Sequence, residues 1–156
     1  MKKYNIFFDG YWRDVKKNKL PECEGIYLVY RCIYNEKKKN VSLKEIIYIG
    51  QTDNIHDRII NHERYEDFKN ELKYNEQLCY SYTPIKIAED RDVIENALIF
   101  MQKTKLNDKL KDKYIYSDAI FIFEGKCTLL NVKSFKLSSN MTNGQRITTI
   151  ENITDF

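Results

Sequence analysis

The segment YIGQTDNIHDRIINHERY, from Tyr48 to Tyr65, combines three kinds of side chain that can hold an anion or move a proton. Arg58 and His62 stand four positions apart, so a helix over this segment would place them one turn apart on one face. An arginine can bind an anionic group through its planar fork, and a histidine or tyrosine can transfer a proton. The alternatives are an exposed charged helix face for Arg58, a hydrogen-bonded core position for His62, and strand packing for Tyr48 and Tyr27.

A further candidate is Glu95, in the segment DRDVIENALIFMQKTK over residues 90–105. With about 100° of rotation per helical residue, Glu95 falls between Leu98 and Ile99, at the edge of a wide apolar face. A carboxylate that is withdrawn from water is costly unless it pairs with a cation or binds a metal ion. Two plainer alternatives remain open, a salt bridge to a nearby lysine or arginine and a side chain that reaches out to water.

The candidate residues must be positioned by strands and helices, and the sequence patterns predict where these elements lie. Runs rich in β-branched and aromatic residues predict strands over 24–34, 42–52, 77–85, 119–125 and 127–137. Helices are predicted over 90–105 and 66–73, and also after Asp53 or Asn54, either of which can cap a helix. Gly50 is expected to end the second strand, and a long polar loop over 35–44 is expected to join the first two.

These elements predict an α/β fold with a small, mostly antiparallel sheet, helices packed on it, and a C-terminal β-hairpin appendage. The 156 residues fit one compact domain. Within it we expect an N-terminal extension over 1–24, a core over 25–113, and a C-terminal β appendage with a polar tail over 114–156. The stretch 138–156 could read bases or mediate dimerisation, and a disordered tail is the alternative.

Composition places the chain among folded proteins. Hydrophobic residues make up 42% and aromatic residues 13%, which argues against disorder. No apolar run approaches the roughly 20 residues that a membrane span needs, and no secretory signal opens the sequence. We therefore expect a cytoplasmic protein that does not enter a membrane. The four cysteines match no metal-binding spacing and are expected to be reduced.

The distribution of charge says more than its total, which is only +3. Lysine and arginine are concentrated in residues 1–20, 31–45 and 103–113, whereas residues 46–100 are net acidic. Three such patches could converge on a polyanion such as nucleic acid. Solvated surface lysines are the plainer alternative.

The order of the motifs is more informative than any of them alone. Each tripeptide is short, but both lie on consecutive predicted strands, and each further residue falls on a later element. The members, in chain order, are GIY at 25–27, YIG at 48–50, Arg58, His62, Glu95 and Asn107. With this set the sequence resembles the GIY-YIG nuclease superfamily over residues 25–107.

The resemblance implies a compact three-stranded antiparallel sheet flanked by helices, and a divalent-metal-dependent endonuclease that hydrolyses phosphodiester bonds in double-stranded DNA. It implies that Glu95 binds one Mg²⁺ or Mn²⁺ per active site. Tyr27 becomes the candidate general base, and Arg58 the contact to phosphate oxygens.

The remaining matched residues take supporting roles under the same resemblance. Tyr48 would hydrogen-bond the phosphate or the attacking water, His62 would add positive charge near the base, and Asn107 is the polar residue after the last helix. Backbone contacts to DNA are expected from five lysines, namely Lys37, Lys38, Lys39, Lys103 and Lys105.

Two departures from the superfamily pattern narrow the expectation. The loop between the tripeptides is longer than in compact members, and no zinc or helix-turn-helix module follows. A restriction or defence nuclease therefore fits the sequence better than a homing endonuclease. The protein could also form a homodimer. The alternatives are a catalytically inactive module that binds nucleic acid or protein, and a nuclease directed to RNA.

Overall fold

A computed structural model of the chain describes residues 1–150. Within these residues it has nine strands, three α-helices and one 3-10 helix. In chain order they are β1 (Lys2–Arg13), the 3-10 helix (Asp14–Lys19), β2 (Gly25–Asn35), β3 (Asn40–Thr52), α1 (Ile55–Ile60), α2 (Tyr65–Asn70), β4 (Gln77–Pro84), α3 (Ala88–Gln102), β5 (Lys113–Tyr114), β6 (Ala119–Gly125), β7 (Ser134–Leu137), β8 (Met141–Thr142) and β9 (Thr148–Thr149).

Seven strands form one curled sheet in the order β3-β2-β4-β1-β6-β7-β9. All neighbouring strands run antiparallel except β1 and β6, which run parallel. The two short strands β5 and β8 pair separately. The molecule is therefore mostly sheet, and the mixture of directions comes from one parallel pair at its centre.

The prediction of a small three-stranded sheet flanked by helices, with a β-hairpin appendage, is wrong. The three predicted strands are present as β3, β2 and β4, with β2 in the middle. The sheet continues past β4 because β1, from the segment 1–24, pairs with both β4 and β6. The hairpin of β6 and β7 is thereby an integral part of the same sheet.

The side chains of β1 explain why it enters the sheet. Tyr4 and Phe8 are buried on one face, in the alternating pattern of a strand. Tyr4 stacks on Phe121 of β6 with ring centroids 5.3 Å apart. Because β1 and β6 are far apart in the chain, no local pattern shows that they are partners.

The prediction of a long loop over 35–44 is also wrong. The strands β2 and β3 extend until only residues 36–39 form the turn between them. Lys39 adopts a left-handed conformation with φ of 52°. The Asn35 side chain accepts a hydrogen bond from the Lys38 backbone N–H at 2.9 Å, which closes the turn. In β3, half-buried Val41 and Leu43 alternate with exposed residues, which is a strand pattern.

The C-terminal region differs from its prediction as well. Only Ser134–Leu137 of the predicted strand 127–137 is a strand. The stretch 138–150 contains β8 and β9, and the rest of the predicted tail, residues 151–156, lies outside the described residues.

Two hydrophobic clusters cover the two faces of the sheet. One contains Ile94 and Leu98 of α3, and the other contains Ile55 and Ile59 of α1. Strand β2 contributes alternate side chains to both clusters, which explains its continuous apolar run. Each large side chain buried there contributes about 1.5–3 kcal/mol. No helix within residues 1–150 is both long enough and apolar enough to cross a membrane.

Candidate active site

The two tripeptides are paired side by side in the sheet. Tyr27 of β2 lies opposite Gly50 of β3, and Val29 lies opposite Tyr48. A Cβ atom on residue 50 would approach the Tyr27 hydroxyl oxygen to 2.3 Å and its Cζ to 2.4 Å. Gly50 therefore provides space for the Tyr27 ring and does not end the strand, which continues to Thr52.

Helix α1 presents Arg58 to the hydroxyl of Tyr27. The Asn54 side chain caps the helix by accepting from the Asp57 backbone N–H at 3.1 Å. Buried Ile55 and Ile59 fix its inner face. The Arg58 Nε then donates to the Tyr27 hydroxyl oxygen at 3.3 Å.

His62 reaches the same oxygen from just beyond the helix. The prediction that it lies on the helix with Arg58 is wrong, because α1 ends at Ile60. Its Nε2 lies 2.7 Å from the Tyr27 hydroxyl oxygen. The ring also contacts Phe68, with centroids 4.7 Å apart, so His62 is buried.

The proton positions on His62 follow from its second hydrogen bond. Its Nδ1 accepts from the Arg64 backbone N–H at 3.0 Å, so Nδ1 carries no proton. Burial, reinforced by the charge of Arg58, lowers the pKa of His62 to about 4, so the ring is neutral near pH 7. The single ring proton is therefore on Nε2, and His62 donates to Tyr27.

Tyr27 thus accepts two hydrogen bonds, one from His62 and one from Arg58. Both donors stabilise negative charge on the phenol oxygen. Burial of the ring acts in the opposite direction and raises the pKa of Tyr27, which Arg58 only partly offsets. Tyr27 is consequently a protonated phenol at neutral pH, and additional positive charge near its oxygen would lower its pKa.

Tyr48 is half-buried beside this cluster. Its ring meets that of His62 edge-on, with centroids 5.4 Å apart, and contacts Phe68 at 5.2 Å. The guanidinium of Arg64 lies 5.7 Å from the Tyr48 ring centroid. Burial raises the pKa of Tyr48, so its hydroxyl is also protonated near neutral pH.

Glu95 belongs to α3, which covers the other face of the sheet, and it meets the site at the edge strand β3. The Gln51 Nε2 donates to Glu95 Oε1 at 3.2 Å. Within residues 1–150, no Lys or Arg nitrogen lies within 4.0 Å of the Glu95 carboxylate. Burial raises its pKa. A half-buried carboxylate without a cationic partner has the donor chemistry that Mg²⁺ or Mn²⁺ prefers.

A cavity of about 340 Å³ lies between Tyr48 and Glu95, beside the cluster of Tyr27, Arg58 and His62. Its wall includes Tyr48, Glu95, Arg64, Asn107 and Lys109. Residues from both faces of the sheet thus meet in one polar recess at the β3 edge.

The side-chain amide of Asn107 forms hydrogen bonds with the backbone of β3. Its Oδ1 accepts from the Ile49 N–H at 2.9 Å, and its Nδ2 donates to the Ile49 carbonyl at 2.8 Å. Thr104 also donates to its Oδ1. The amide therefore pairs with the edge strand as a neighbouring strand would, between Tyr48 and Gly50, and its contribution is to position them.

The five predicted DNA-contacting lysines lie away from this recess or are engaged elsewhere. Lys37, Lys38 and Lys39 occupy the tip of the β2–β3 hairpin, beyond Asn35, which lies eight residues and roughly 25 Å along β2 from Tyr27. Lys103 donates to the carbonyls of Phe100 at 2.9 Å and Lys111 at 2.6 Å.

Lys105 forms an ion pair with Glu71 at 2.7 Å. With Lys44 and Lys103, it lines a second cavity of about 440 Å³. The structure therefore does not gather the predicted lysines at one place.

Sequence reasoning missed Arg64, which lines the recess, and Asp92, which lies beside Glu95 and Gln51. Arg64 lies between two acceptors, Asp67 Oδ2 at 2.7 Å and the Leu106 carbonyl at 2.8 Å, yet it still faces the cavity. Asp92 receives a hydrogen bond from Gln51 at 2.6 Å. Its position three residues before Glu95 on a predicted helix was the available signal.

One other group in residues 1–150 has the composition of a metal site, namely Glu22, His56 and Asp57. The His56 Nδ1 faces Asp57 Oδ1 at 3.1 Å, and its Nε2 faces the Asn18 carbonyl at 3.2 Å. Both ring nitrogens thus face acceptors, which favours the doubly protonated ring, and the Asp57 hydrogen bond raises the pKa of His56. A metal ion would have to displace one of these two hydrogen bonds before the imidazole could ligate it, and the carboxylates of Glu22 and Asp57 are exposed.

No known protein-family model matches the sequence, and neither the curated proteins nor the solved structures contain a significant match to the chain.

Proposed function

We propose that this protein is a divalent-metal-dependent endonuclease of the GIY-YIG type that hydrolyses phosphodiester bonds in double-stranded DNA. The observation that carries the proposal is the hydrogen-bonded cluster of Tyr27, Arg58 and His62 beside the recess that holds Tyr48 and Glu95. A tyrosine that served only for packing would need a partner for its buried hydroxyl, but not two donors that both stabilise its negative form.

Arg58 is the residue that would hold the scissile phosphate. Its only acidic partner within residues 1–150 is Glu63, at 3.2 Å, and that carboxylate is 71% exposed. An exposed pair of this kind contributes little to stability, so a phosphate can replace Glu63 at little cost. The Nε of Arg58 would keep its hydrogen bond to Tyr27 while the terminal nitrogens contact the phosphate oxygens.

Once it has lost its own proton to solvent, Tyr27 would take a proton from the attacking water at its phenolate oxygen. The donors on His62 and Arg58 stabilise the phenolate that this role needs. A divalent cation held by Glu95 would supply positive charge against the phosphate oxygens. Tyr48 lines the recess and would bond the phosphate or the water, while Asn107 keeps the Tyr48–Gly50 segment in place.

Plasmid DNA tests the proposal directly. The purified protein is incubated with supercoiled plasmid, single-stranded DNA and RNA, each with Mg²⁺, Mn²⁺ or EDTA. We expect nicking or linearisation of the plasmid with either metal ion and none with EDTA. Cleavage restricted to RNA would favour the RNA-directed alternative, and binding without cleavage would favour an inactive binding module.

A biological role in restriction or defence, exercised in the cytoplasm, is part of the same proposal. It predicts that cleavage depends on the sequence or on the base modification of the DNA. Digestion of one plasmid, with and without methylation, would test this. Equal cleavage of both at random positions would contradict a restriction role.

A further inference from the structure

Another cavity, of about 360 Å³, combines aromatic rings with positive charge. Its wall includes two tyrosines and three cations, namely Tyr11, Tyr34, Arg13, Lys39 and Lys126. The Tyr11 ring meets Tyr30 edge-on, with centroids 5.3 Å apart, and Tyr30 belongs to the hydrophobic cluster that contains the α3 side chains. The cavity therefore lies on the α3 face of the sheet, whereas Tyr27 belongs to the cluster on the opposite face.

Arg13 and Tyr34 lie together in the wall of this cavity. The guanidinium carbon of Arg13 is 3.5 Å from the centroid of the Tyr34 ring, so the cation covers the ring. The Arg13 Nε donates to Gln77 Oε1 at 3.0 Å, which fixes the direction of the guanidinium. A cation and an aromatic ring are thereby stacked, and nucleobases stack on both kinds of surface.

Tyr11 holds the segment that carries Lys126. The Tyr11 hydroxyl oxygen accepts from the Thr128 backbone N–H at 3.1 Å and lies 2.9 Å from the Thr128 Oγ1. The Lys126 Nζ is 5.9 Å from the Tyr11 ring centroid. The segment that follows β6 is thus tied to β1, so Lys126 is held at the cavity before any ligand binds.

The positive charge of the cavity has no acidic counterpart in the part of the chain that the structure describes. No carboxylate oxygen there lies within 4.0 Å of a charged nitrogen of Arg13, Lys39 or Lys126. The described residues that line the cavity include no Asp or Glu. By contrast, Arg31 and Arg58 each pair with a carboxylate. Three cations without acidic partners around one concave surface attract an anion.

These features together match the chemistry of a nucleotide. Unpaired bases stack on aromatic rings and on guanidinium planes, and a positively charged groove follows the phosphates. The volume of about 360 Å³ lies within the range of roughly 300–1,000 Å³ that is usual for ligand sites. A base in a duplex is stacked between its neighbours, so it cannot enter a cavity unless it is unpaired or flipped out.

We propose that this cavity binds an unpaired nucleotide of a single DNA strand. The base stacks against Arg13 and Tyr34, and Lys39 and Lys126 hold the phosphates. The exposed Lys37 continues the positive charge along the β2–β3 hairpin, where the neighbouring phosphates of a strand would lie. This continuation favours a strand over a free nucleotide.

The inference goes beyond the proposed function, because the cavity is separate from the candidate active site. Tyr34 lies seven residues from Tyr27 along β2, which corresponds to roughly 23 Å. The cavity shares no lining residue with the recess that contains Glu95. A nucleotide can therefore bind here whether or not the protein cleaves DNA.

Fluorescence anisotropy of a labelled oligothymidylate tests the stacking contact in EDTA, where metal-dependent cleavage does not occur. In Tyr34→Ala we expect the Kd to rise about 5- to 100-fold, the usual effect of losing one ring on which a base stacks. Tyr34→Phe is the matched control, because it keeps the ring, and it should leave the Kd within about twofold. Binding of a blunt duplex should change by no more than about twofold in either variant, since its bases are already stacked on one another.

Two exposed lysines test the phosphate contacts without a change in the core. Lys39→Gln together with Lys126→Gln removes two positive charges, so the slope of log K against log salt for the single strand should become shallower by about 1.4. Lys3→Gln together with Lys86→Gln removes the same charge from two other exposed positions and is the matched control. The slope of this control should stay that of the wild type.

The results that would overturn the inference are specific. If Tyr34→Ala bound the oligothymidylate as the wild type does, or if both lysine pairs changed the slope equally, the cavity would not be the binding site. If dTMP displaced the oligothymidylate at an equal concentration of nucleotide, the assignment to a strand would be wrong. Plasmid cleavage tests the nuclease proposal separately, because a wild type that binds the oligothymidylate as expected but cuts no DNA would keep this inference and contradict only the nuclease.

Discussion

His62 donates a hydrogen bond from Nε2 to the hydroxyl oxygen of Tyr27, and the Arg64 backbone N–H on Nδ1 fixes this direction. A neutral ring held in this way cannot accept the phenol proton at Nε2. His62 therefore acts on Tyr27 by stabilising its negative form. Tyr27 must lose its own proton before it can serve as a base, and His62 is not the group that accepts this proton.

The buried neutral state of His62 predicts a pH dependence of stability. Its pKa is 6.5 in the unfolded chain and about 4 in the fold, so the unfolded state binds the proton more tightly. The full stabilisation is present above about pH 6.5, and it is lost as the pH falls towards about 4. Between about pH 7.5 and about pH 4.5, we expect the free energy of unfolding to fall on the order of 2 kcal/mol from this group.

Urea unfolding at the two pH values checks this expectation. The control is His62→Phe, which keeps an aromatic ring against Phe68 but cannot titrate. Between the two pH values, the free energy of unfolding should fall less in His62→Phe than in the wild type, by on the order of 2 kcal/mol. Equal falls in the two proteins would show that other groups carry the pH dependence.

The close approach of Gly50 and Tyr27 predicts a coupled pair of substitutions. Gly50→Ala places a methyl group 2.3 Å from the Tyr27 hydroxyl oxygen, so the ring must move. We expect a loss of about 1–3 kcal/mol in the free energy of unfolding. In a Tyr27→Ala background the same substitution should cost much less, since the clashing ring is absent. A double-mutant cycle from chemical denaturation gives the coupling energy, and strict additivity would contradict the contact.

Local patterns predicted the strands and helices around the site well. The strands at 24–34, 42–52 and 77–85 correspond to β2, β3 and β4, and the strongest helix over 90–105 corresponds to α3. Periodicity is sufficient there because β2 is buried on both faces and α3 on one. A cap at Asp53 or Asn54 was also predicted, because a cap acts on the very next turn, and Asn54 is the residue that caps α1.

The extent of the sheet could not be predicted in the same way. The parallel pairing of Lys2 with Ala119 joins distant parts of the chain, and no spacing within either strand indicates it. The hydrogen bonds of the site are likewise set by tertiary structure. A sequence pattern brings Arg58 and His62 near each other, but the tautomer of His62 depends on the Arg64 backbone.

The hydrogen bonds from Asn107 to Ile49 predict that loss of the Asn107 side chain destabilises the edge strand β3. Asn107→Ala removes both hydrogen bonds to Ile49 and leaves its N–H and C=O without these partners. We expect a loss of about 2–3 kcal/mol in the free energy of unfolding. Asn107→Asp keeps the acceptor for the Ile49 N–H but turns a second acceptor towards the Ile49 carbonyl, so it should not restore stability. Full stability in both variants would mean that the amide does not hold the edge strand.

Tyr27→Phe tests the base itself. Phenylalanine keeps the buried ring, so the fold should be largely preserved, while cleavage of DNA should slow by roughly 10²–10⁴, the usual effect of losing a general base. Burial raises the pKa of Tyr27, so the wild-type rate should increase as the pH rises towards alkaline values. That increase should weaken or vanish in the variant. Single-turnover cleavage at saturating protein, measured across this pH range, gives both quantities.

Tyr48→Phe is the matched control for this measurement. Tyr48 lines the recess, but the His62 Nε2 and the Arg58 Nε are directed at the hydroxyl of Tyr27. Tyr48→Phe should therefore slow cleavage less than Tyr27→Phe does, and it should leave the pH dependence of the rate in place. If Tyr27→Phe kept most of the rate and the whole pH dependence, the proton would have to go to another group, and Tyr48 would be the next candidate. If both phenylalanine variants were fully active, the two tyrosines would be packing residues and the proposed mechanism would be wrong.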